Sequence, residues 1–340
     1  MRALTISRYG GPEVLEVRTV PDPIPGPGQV LIRVTRAGLN FADINARVGL
    51  YPDAPKPPMV VGYEVSGTVE ALGPGVSSPA LGTSVLALTE FGGQASHALA
   101  QANVTAPVPV GMSLEQAAAL PVNYVTAHHL LHRVGSVQPG RTVLVHMAAG
   151  GVGLAVIELA RAVGGVTLFG TASQTKHAFL LKAGLQHPID YRTTDWAAEV
   201  RRLTQGRGVD LILDPLGGED TKRGYRALAP VGHLVCFGFA NVVSGPKRSW
   251  PHVLWQVARQ KSWRPMQLMD DNRIVSGVNL KHLMGETALL GTTLKELFRL
   301  FQAGRISPHV DRVFPLSEGP AAHRYIQERR NIGKVLFDCT

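Results

Sequence analysis

Cysteine is nearly absent from this chain: Cys236 and Cys339 are the only two in 340 residues, one inside an apolar run and one at the tail. That argues against a disulfide framework and sets the expectation of a reducing, cytoplasmic environment. Charged residues are sparse at 17%. No run of about 18 apolar residues occurs, so no spanning helix is expected. Residues 1–8 lack the apolar core of a secretory signal. The formal charge of +9 comes from scattered positives with no nucleic-acid-binding module around them, so it reads as general surface basicity.

What is present suits two domains. The length exceeds one ordinary domain, and 45% hydrophobic residues are enough for real cores. The first third is rich in Gly, Pro and short apolar runs: Val30-Leu31-Ile32-Arg33-Val34, Val65-Ser66-Gly67-Thr68-Val69 and Ser84-Val85-Leu86-Ala87-Leu88. These read as strands of a mostly β unit, with a loop around Pro21, Pro23, Pro25 and Pro27. Residues 115–133 have helical spacing, with Pro121 at a joint between two helices. Strands at 142–146, 166–170, 209–214, 233–238 and 273–278 then alternate with helices at 153–163 and 176–183. That alternation predicts an α/β domain with a doubly wound parallel sheet. A helix at 289–303 and a strand at 334–338 follow.

One stretch carries chemistry directly. Val143-Leu144-Val145-His146-Met147-Ala148-Ala149-Gly150-Gly151-Val152-Gly153 reads as a buried strand, a glycine-rich turn and a helix start. Such a turn lets backbone N–H groups reach a pyrophosphate at the positive end of a helix. Ala148 occupies the first position of the usual G-x-G-x-x-G, which weakens the bare pattern, while its context supports a dinucleotide loop. Ala149, Gly150, Gly151, Val152 and Gly153 are therefore candidate cofactor residues. About twenty residues on, where an NAD site has an acidic group, the chain reads Gly170-Thr171-Ala172-Ser173 and then Lys176. Hydroxyls and a cation there suit a 2′-phosphate, so Thr171, Ser173 and Lys176 favour NADPH.

With these motifs stand Gly38-Leu39-Asn40-Phe41-Ala42-Asp43, Gly49-Leu50-Tyr51, Gly62-Tyr63-Glu64-Val65-Ser66-Gly67 and Val122-Asn123-Tyr124-Val125-Thr126-Ala127. Further along come His187-Pro188-Ile189-Asp190-Tyr191, Asp214-Pro215-Leu216-Gly217-Gly218, Gly245-Pro246-Lys247-Arg248 and Asn331-Ile332-Gly333-Lys334-Val335. Together they resemble a medium-chain dehydrogenase/reductase of the quinone oxidoreductase (zeta-crystallin) branch, and most closely its vesicle amine transport protein homologue subgroup. The resemblance implies a GroES-like catalytic domain over 1–123, a Rossmann NADPH-binding domain over 124–281, and a return to the catalytic domain over 282–340. It implies a homodimer paired through the strand at 273–278. It also implies a nicotinamide in the cleft between the domains, with Asn40 and Thr126 lining it and Phe237, Gly238 and Val278 bordering it; Tyr191 and Lys334 join the expected cofactor residues.

The zinc enzymes of that family carry a Cys, a Gly-His-Glu and a later Cys where this chain has Leu39-Asn40, Gly62-Tyr63-Glu64 and Val122-Asn123. No metal site is expected without thiolate or imidazole at ligand spacing. Without a Lewis acid, quinones and α,β-unsaturated carbonyls are the natural acceptors of hydride. Tyr51 is the expected proton donor by resemblance to enoyl-thioester reductases, with Tyr63 and Asn40 as further candidate catalytic residues. Three readings stay open: a quinone reductase, a reductase of enones or enoyl thioesters, and a non-catalytic NADPH-binding or vesicle-associated protein. Three of four tryptophans fall in residues 250–263 among Arg and Lys. That stretch reads as a lid or dimer-contact helix, with an anionic membrane surface as the alternative.

Overall fold

Short apolar runs bounded by Gly and Pro fold as strands, as their alternation predicts. In the computed structural model, which describes residues 1–340, these are β1 (Arg2–Ile6), β2 (Leu15–Thr19), β3 (Gln29–Leu39), β4 (Met59–Val60), β5 (Glu64–Leu72), β6 (Ser84–Leu88), β7 (His97–Gln101) and β8 (Thr105–Pro107). Helices α1 (Phe41–Val48) and α2 (Leu114–Ala119) accompany them, and α2 opens on a Ser113/Gln116 capping box. α3 (Pro121–His128) continues into a π-helical stretch, His129–Val134.

Alternation then sets in: β9 (Thr142–Val145), α4 (Gly151–Val163), β10 (Thr167–Ala172), α5 (His177–Ala183), β11 (His187–Asp190), α6 (Trp196–Leu203), β12 (Val209–Asp214), α7 (Glu219–Ala227), β13 (Leu228–Cys236), α8 (Trp250–Ala258), α9 (Pro265–Asp271) and β14 (Ile274–Gly277). The chain closes with α10 (Thr287–Gln302), β15 (Val310–Pro315), α11 (Gly319–Gln327) and β16 (Lys334–Asp338).

Two units result: Met1–Val125 with Gly245–Arg248 and Lys281–Thr340, and Thr126–Ser244 with Ser249–Leu280. The sequence reading treats 124–281 as one block, whereas Gly245–Arg248 packs within the first unit. That unit holds a mixed sheet, β15-β16-β3-β5-β6-β8 with β7 also on β3, and a small sheet β2-β1-β4. β16 pairs antiparallel with the end of β3, Val335 opposite Leu39, which brings the last strand beside Asn40.

In the second unit six parallel strands run in the order β11-β10-β9-β12-β13-β14. β12 is buried at all six residues, which is why its centre, Leu211-Ile212-Leu213, is continuously apolar rather than alternating. Phe169, Ile212 and Leu234 pack there against Trp196, Val200 and Tyr225 from α6 and α7. The order reverses between β9 and β12, the point beyond whose carboxyl ends such sheets bind ligands.

The tryptophan stretch is not one helix. α8 ends at Ala258, and Trp263 turns back onto Tyr225 with ring centroids 5.2 Å apart. Trp250, Leu254 and Trp255 on α8 and Met266 and Met269 on α9 are exposed. No helix is long and apolar enough to cross a membrane.

His323 on α11 gives a pH prediction. It is fully buried, stacks on Phe337, and neither ring nitrogen has a hydrogen-bond partner. Burial, and then the Arg47 charge, hold its pKa well below the usual imidazole value. The ring therefore stays neutral in the folded protein but takes a proton in the unfolded chain below about pH 6.5. Its contribution is present above that pH and is lost on acidification. His323→Leu removes this loss: from pH 7 to pH 5 the wild type is expected to lose up to about 2 kcal/mol more than the variant. Urea unfolding at both pH values checks it; equal losses contradict it.

Candidate active site

The chain leaves β9 through a turn in which Met147 takes a left-handed φ of 54°. A side chain there costs roughly 1–2 kcal/mol, so the turn must be held. Met147 N donates to Thr171 Oγ1 at 3.3 Å, Ala148 N to Thr171 O at 3.0 Å, and Gly150 N to Met147 O at 2.8 Å. α4 then begins at Gly151, which leaves the amides of Gly151, Val152 and Gly153 without intrahelical acceptors. First-turn amides at the positive end of a helix suit a pyrophosphate. Gly153 is obligatory, because a Cβ there would lie 2.4 Å from Ala148 O.

Ala148 is fully buried, and the room for its methyl comes from Gly170, where a Cβ would meet the Ala148 Cβ at 2.7 Å. The glycine missing from the loop thus reappears in the neighbouring strand. A lone glycine inside a strand pattern is the signal that sequence reading has for such a close approach.

Thr171, expected among the cofactor residues, supports the loop from the neighbouring strand. It is buried, and its hydroxyl sits 3.0 Å from His146 Nδ1 as well as on Met147 N, so it holds the loop. Ser173 and Lys176 lie past the end of β10, with Ser173 Oγ 3.3 Å from Thr175 Oγ1 and Lys176 at the start of α5. No carboxylate stands on that strand end. Asp190, opposite Ala172 on β11, has its oxygens on its own turn, at Arg192 N (3.0 Å) and Thr193 Oγ1 (3.2 Å).

Tyr191 follows Asp190. Phe237 N donates to Asp214 O at 2.9 Å, Val278 N to Cys236 O at 2.9 Å, and a Cβ on Gly238 would lie 2.9 Å from Pro215 O. The loop residues 149–153 with Thr171, Ser173, Lys176, Tyr191, Phe237, Gly238 and Val278 therefore share the carboxyl edge of one sheet. Thr126 is buried on α3 in the same unit.

In the first unit, Asn40 N donates to Asp43 Oδ2 at 2.8 Å, which caps α1. Its side chain is fixed at both ends, with Nδ2 donating to Glu64 Oε1 at 3.0 Å and Oδ1 accepting from Lys334 Nζ at 2.7 Å. Glu64 is fully buried, accepts from Val122 N at 2.7 Å, and pairs with the Lys334 ammonium. Lys334, expected among the cofactor residues, is buried and holds Glu64 and Asn40, so it orients the Asn40 side chain. Beside them Asp43 accepts from Gly62 N at 3.0 Å; burial lifts its pKa to about 7 against those backbone bonds and the Lys334 charge.

Tyr63 packs between Tyr51, edge-on with centroids 6.0 Å apart, and Phe91 at 5.3 Å. Its hydroxyl is buried without a hydrogen-bond partner. Burial, then Asp43, raises its pKa far above that of a free phenol. Tyr51 is half-buried and pushed up to about 12, by burial first and then by Asp53 and Asp43. Lys281 Nζ lies 5.6 Å from the Phe91 ring centre. Phe91 and Lys281 escaped sequence reading, since neither sits in a motif. Of the three positions compared with zinc ligands, Asn40 is held as above, Tyr63 is a phenol, and Asn123 Nδ2 donates to Ala119 O at 3.3 Å. No group of three or more His, Cys, Asp or Glu side chains is placed to hold a metal ion.

Known proteins resemble this chain over nearly its whole length. The family profile described as "Alcohol dehydrogenase GroES-like domain" matches residues 26–126, and that described as "Zinc-binding dehydrogenase" matches residues 183–336. The human synaptic vesicle membrane protein VAT-1 homolog is 43% identical over 339 residues, covering 99% of this chain and 86% of its own length. A 2-haloacrylate reductase from a Burkholderia species is 33% identical, covering 98% of both chains. The crystal structure of Escherichia coli quinone oxidoreductase complexed with NADPH superposes with a TM-score of 0.88 at 28% identity, covering 99% of this chain and 100% of that one. The chain belongs to the medium-chain dehydrogenase/reductase family, as an oxidoreductase of its quinone oxidoreductase branch.

Proposed function

We propose that this protein is an NADPH-dependent reductase of conjugated electrophilic acceptors, the class that holds quinones and α,β-unsaturated carbonyls. The observation that carries the reading is the buried, unpartnered hydroxyl of Tyr63, at the position where zinc enzymes of the family hold a histidine. A buried hydroxyl left unmade costs about 1–3 kcal/mol, so an acceptor oxygen that takes its proton as a hydrogen bond is favoured there.

The cofactor fits the loop. The free amides of Gly151–Gly153 suit its pyrophosphate, and Ser173 and Lys176, with no carboxylate on their strand end, suit a 2′-phosphate. When bound, NADPH supplies the hydride. Asn40, fixed by Glu64 and Lys334, presents its amide in one orientation. Tyr63 hydrogen-bonds the acceptor oxygen, and Tyr51 delivers a proton.

The raised pKa values discriminate among acceptors. A phenol with a pKa of about 12 stays protonated throughout the physiological range. It gives its proton readily to an enolate carbon, a far stronger base. Protonating a hydroquinone anion, itself a phenolate with a pKa near 10, is uphill, and water serves that anion as well. Tyr51 is therefore needed for enones and dispensable for quinones.

Steady-state NADPH oxidation with a naphthoquinone, a 2-enal and crotonyl-CoA tests the function, with turnover of at least the first two expected. Tight NADPH binding without turnover of any would overturn it in favour of a non-catalytic protein. In the same assay NADPH is expected to outperform NADH, and Lys176→Ala to narrow that preference; an unchanged ratio counts against the 2′-phosphate reading. A homodimer belongs to the same proposal, resting on the free edge of β14 and the exposed apolar side chains of α8 and α9. Sedimentation at assay concentration reads it, and a monomer there contradicts it.

A further inference from the structure

Gly245–Arg248 belongs to the first unit although Ser244 and Ser249 on either side belong to the second. Each of the four residues is tethered. Gly245 O accepts from Gln327 Nε2 at 2.8 Å, and Pro246 O accepts from Arg47 Nη2 at 3.4 Å. Lys247 Nζ pairs with Glu13 at 3.0 Å, while Arg248 Nη1 donates to Gly49 O at 3.1 Å and its guanidinium lies over the Tyr9 ring at 5.8 Å. Arg47 is itself fully buried and also donates to Gln327 Oε1 at 2.5 Å. Ordering such an excursion costs about 1–2 kcal/mol per residue in backbone entropy, so four tethers on four residues point to a purpose.

The last tether shows what the excursion reaches. Gly49 is the left-handed cap of α1, with φ 75°, and stands two residues before Tyr51. Leu50 N turns back to Asn45 O at 2.8 Å, so the cap sets the direction in which the chain runs out to the phenol. The cap has no slack: a Cβ on Gly49 would lie 2.8 Å from Arg248 Nη1 and 3.0 Å from the Tyr9 ring. Beyond Tyr51 the loop is closed by Ala54 N on Tyr51 O at 3.1 Å and by His282 on Asp53 at 3.1 Å. Arg248 therefore fixes the upstream end of a short loop whose downstream end is already fixed.

From this geometry we infer that Arg248 is a positioning residue for Tyr51: by holding the Gly49 carbonyl it sets the approach of the phenol, and so governs proton delivery without touching the acceptor. The inference rests on Tyr51 as the donor. It adds a specificity consequence, because the residue matters for acceptors that need a protein acid and not for those that do not.

The test compares Arg248→Ala, Arg248→Lys, Tyr51→Phe and the Tyr51→Phe/Arg248→Ala double variant. Kcat and KM are measured for a 2-enal and for naphthoquinone, with NADPH affinity by fluorescence and the thermal midpoint alongside. Arg248→Ala is expected to lower kcat for the enal by roughly 10- to 100-fold, the scale of a 1 Å misplacement. KM, NADPH affinity and the naphthoquinone rate stay near wild type. Arg248→Lys gives an intermediate loss, and keeps the test open if the alanine variant does not fold. The double variant is no slower than Tyr51→Phe alone, and Lys247→Ala, on the same segment, leaves every readout unchanged. A slow Tyr51→Phe beside a fully active Arg248→Ala overturns the inference, as do losses that multiply in the double variant. Full enal activity in Tyr51→Phe instead removes the donor reading, and the inference with it.

Discussion

Tyr51→Phe is expected to lower kcat for a 2-enal by about 10²- to 10⁴-fold, the usual contribution of a positioned general acid, while naphthoquinone turnover stays nearly unchanged. The asymmetry follows from where the protons must go. Hydride addition to an enal leaves an enolate whose carbon needs a proton, and Tyr51 holds one at every physiological pH because its pKa is pushed up to about 12. The donor works in its protonated form, and raising its pKa extends that form toward alkali. Wild-type kcat for the enal is therefore expected to show no alkaline fall through pH 10 that is traceable to Tyr51. Burial makes Tyr51 an acid only toward strong bases such as the enolate carbon. Equal losses with both acceptors would mean that Tyr51 shapes the pocket rather than donates.

Gly153→Val is expected to weaken NADPH binding by at least about 100-fold, roughly 2.7 kcal/mol. The first atom of the new side chain would fall 2.4 Å from Ala148 O and 2.6 Å from Met147 O, both backbone and neither able to swing aside. α4 must then move off the loop, and the amides of Gly151–Gly153 move with it. Ala148 cannot retreat, because its methyl already fills the space left by Gly170. Gly291→Ala in α10, where a Cβ meets nothing within 4 Å, is the matched control and should bind NADPH normally. Fluorescence titration checks both, and a thermal midpoint close to wild type separates lost binding from lost folding. Unimpaired binding by Gly153→Val would show that the cofactor does not rest on this loop.

Much of this was legible in the chain. β6, β12 and β16 begin and end where the sequence predicts, because each has an apolar centre bounded closely by polar or turn residues. The glycine loop was legible for the same local reason, as were the replaced zinc-ligand positions, which are fixed by neighbouring motif residues. What was not legible depends on partners far away in sequence. Lys334 meets Glu64 across 270 residues and anchors Asn40. Thr171 turns inward because His146 and Met147 N are there to receive it. Trp263 leaves the exposed stretch for Tyr225, and Gly245–Arg248 joins the first unit through Glu13, Arg47, Gly49 and Gln327. No periodicity records such pairings.

The most direct test of the central claim is isotopic. The protein is supplied with NADPH deuterated at the transferable C4 position and a 2-enal in ordinary water, and the product is read by mass and NMR. The account predicts one deuterium at the β-carbon and a solvent-derived proton at the α-carbon, with the reaction slowed in Tyr51→Phe. Tight NADPH binding with no deuterium in the enal product, and no NADPH oxidation by any quinone offered in its place, would contradict it.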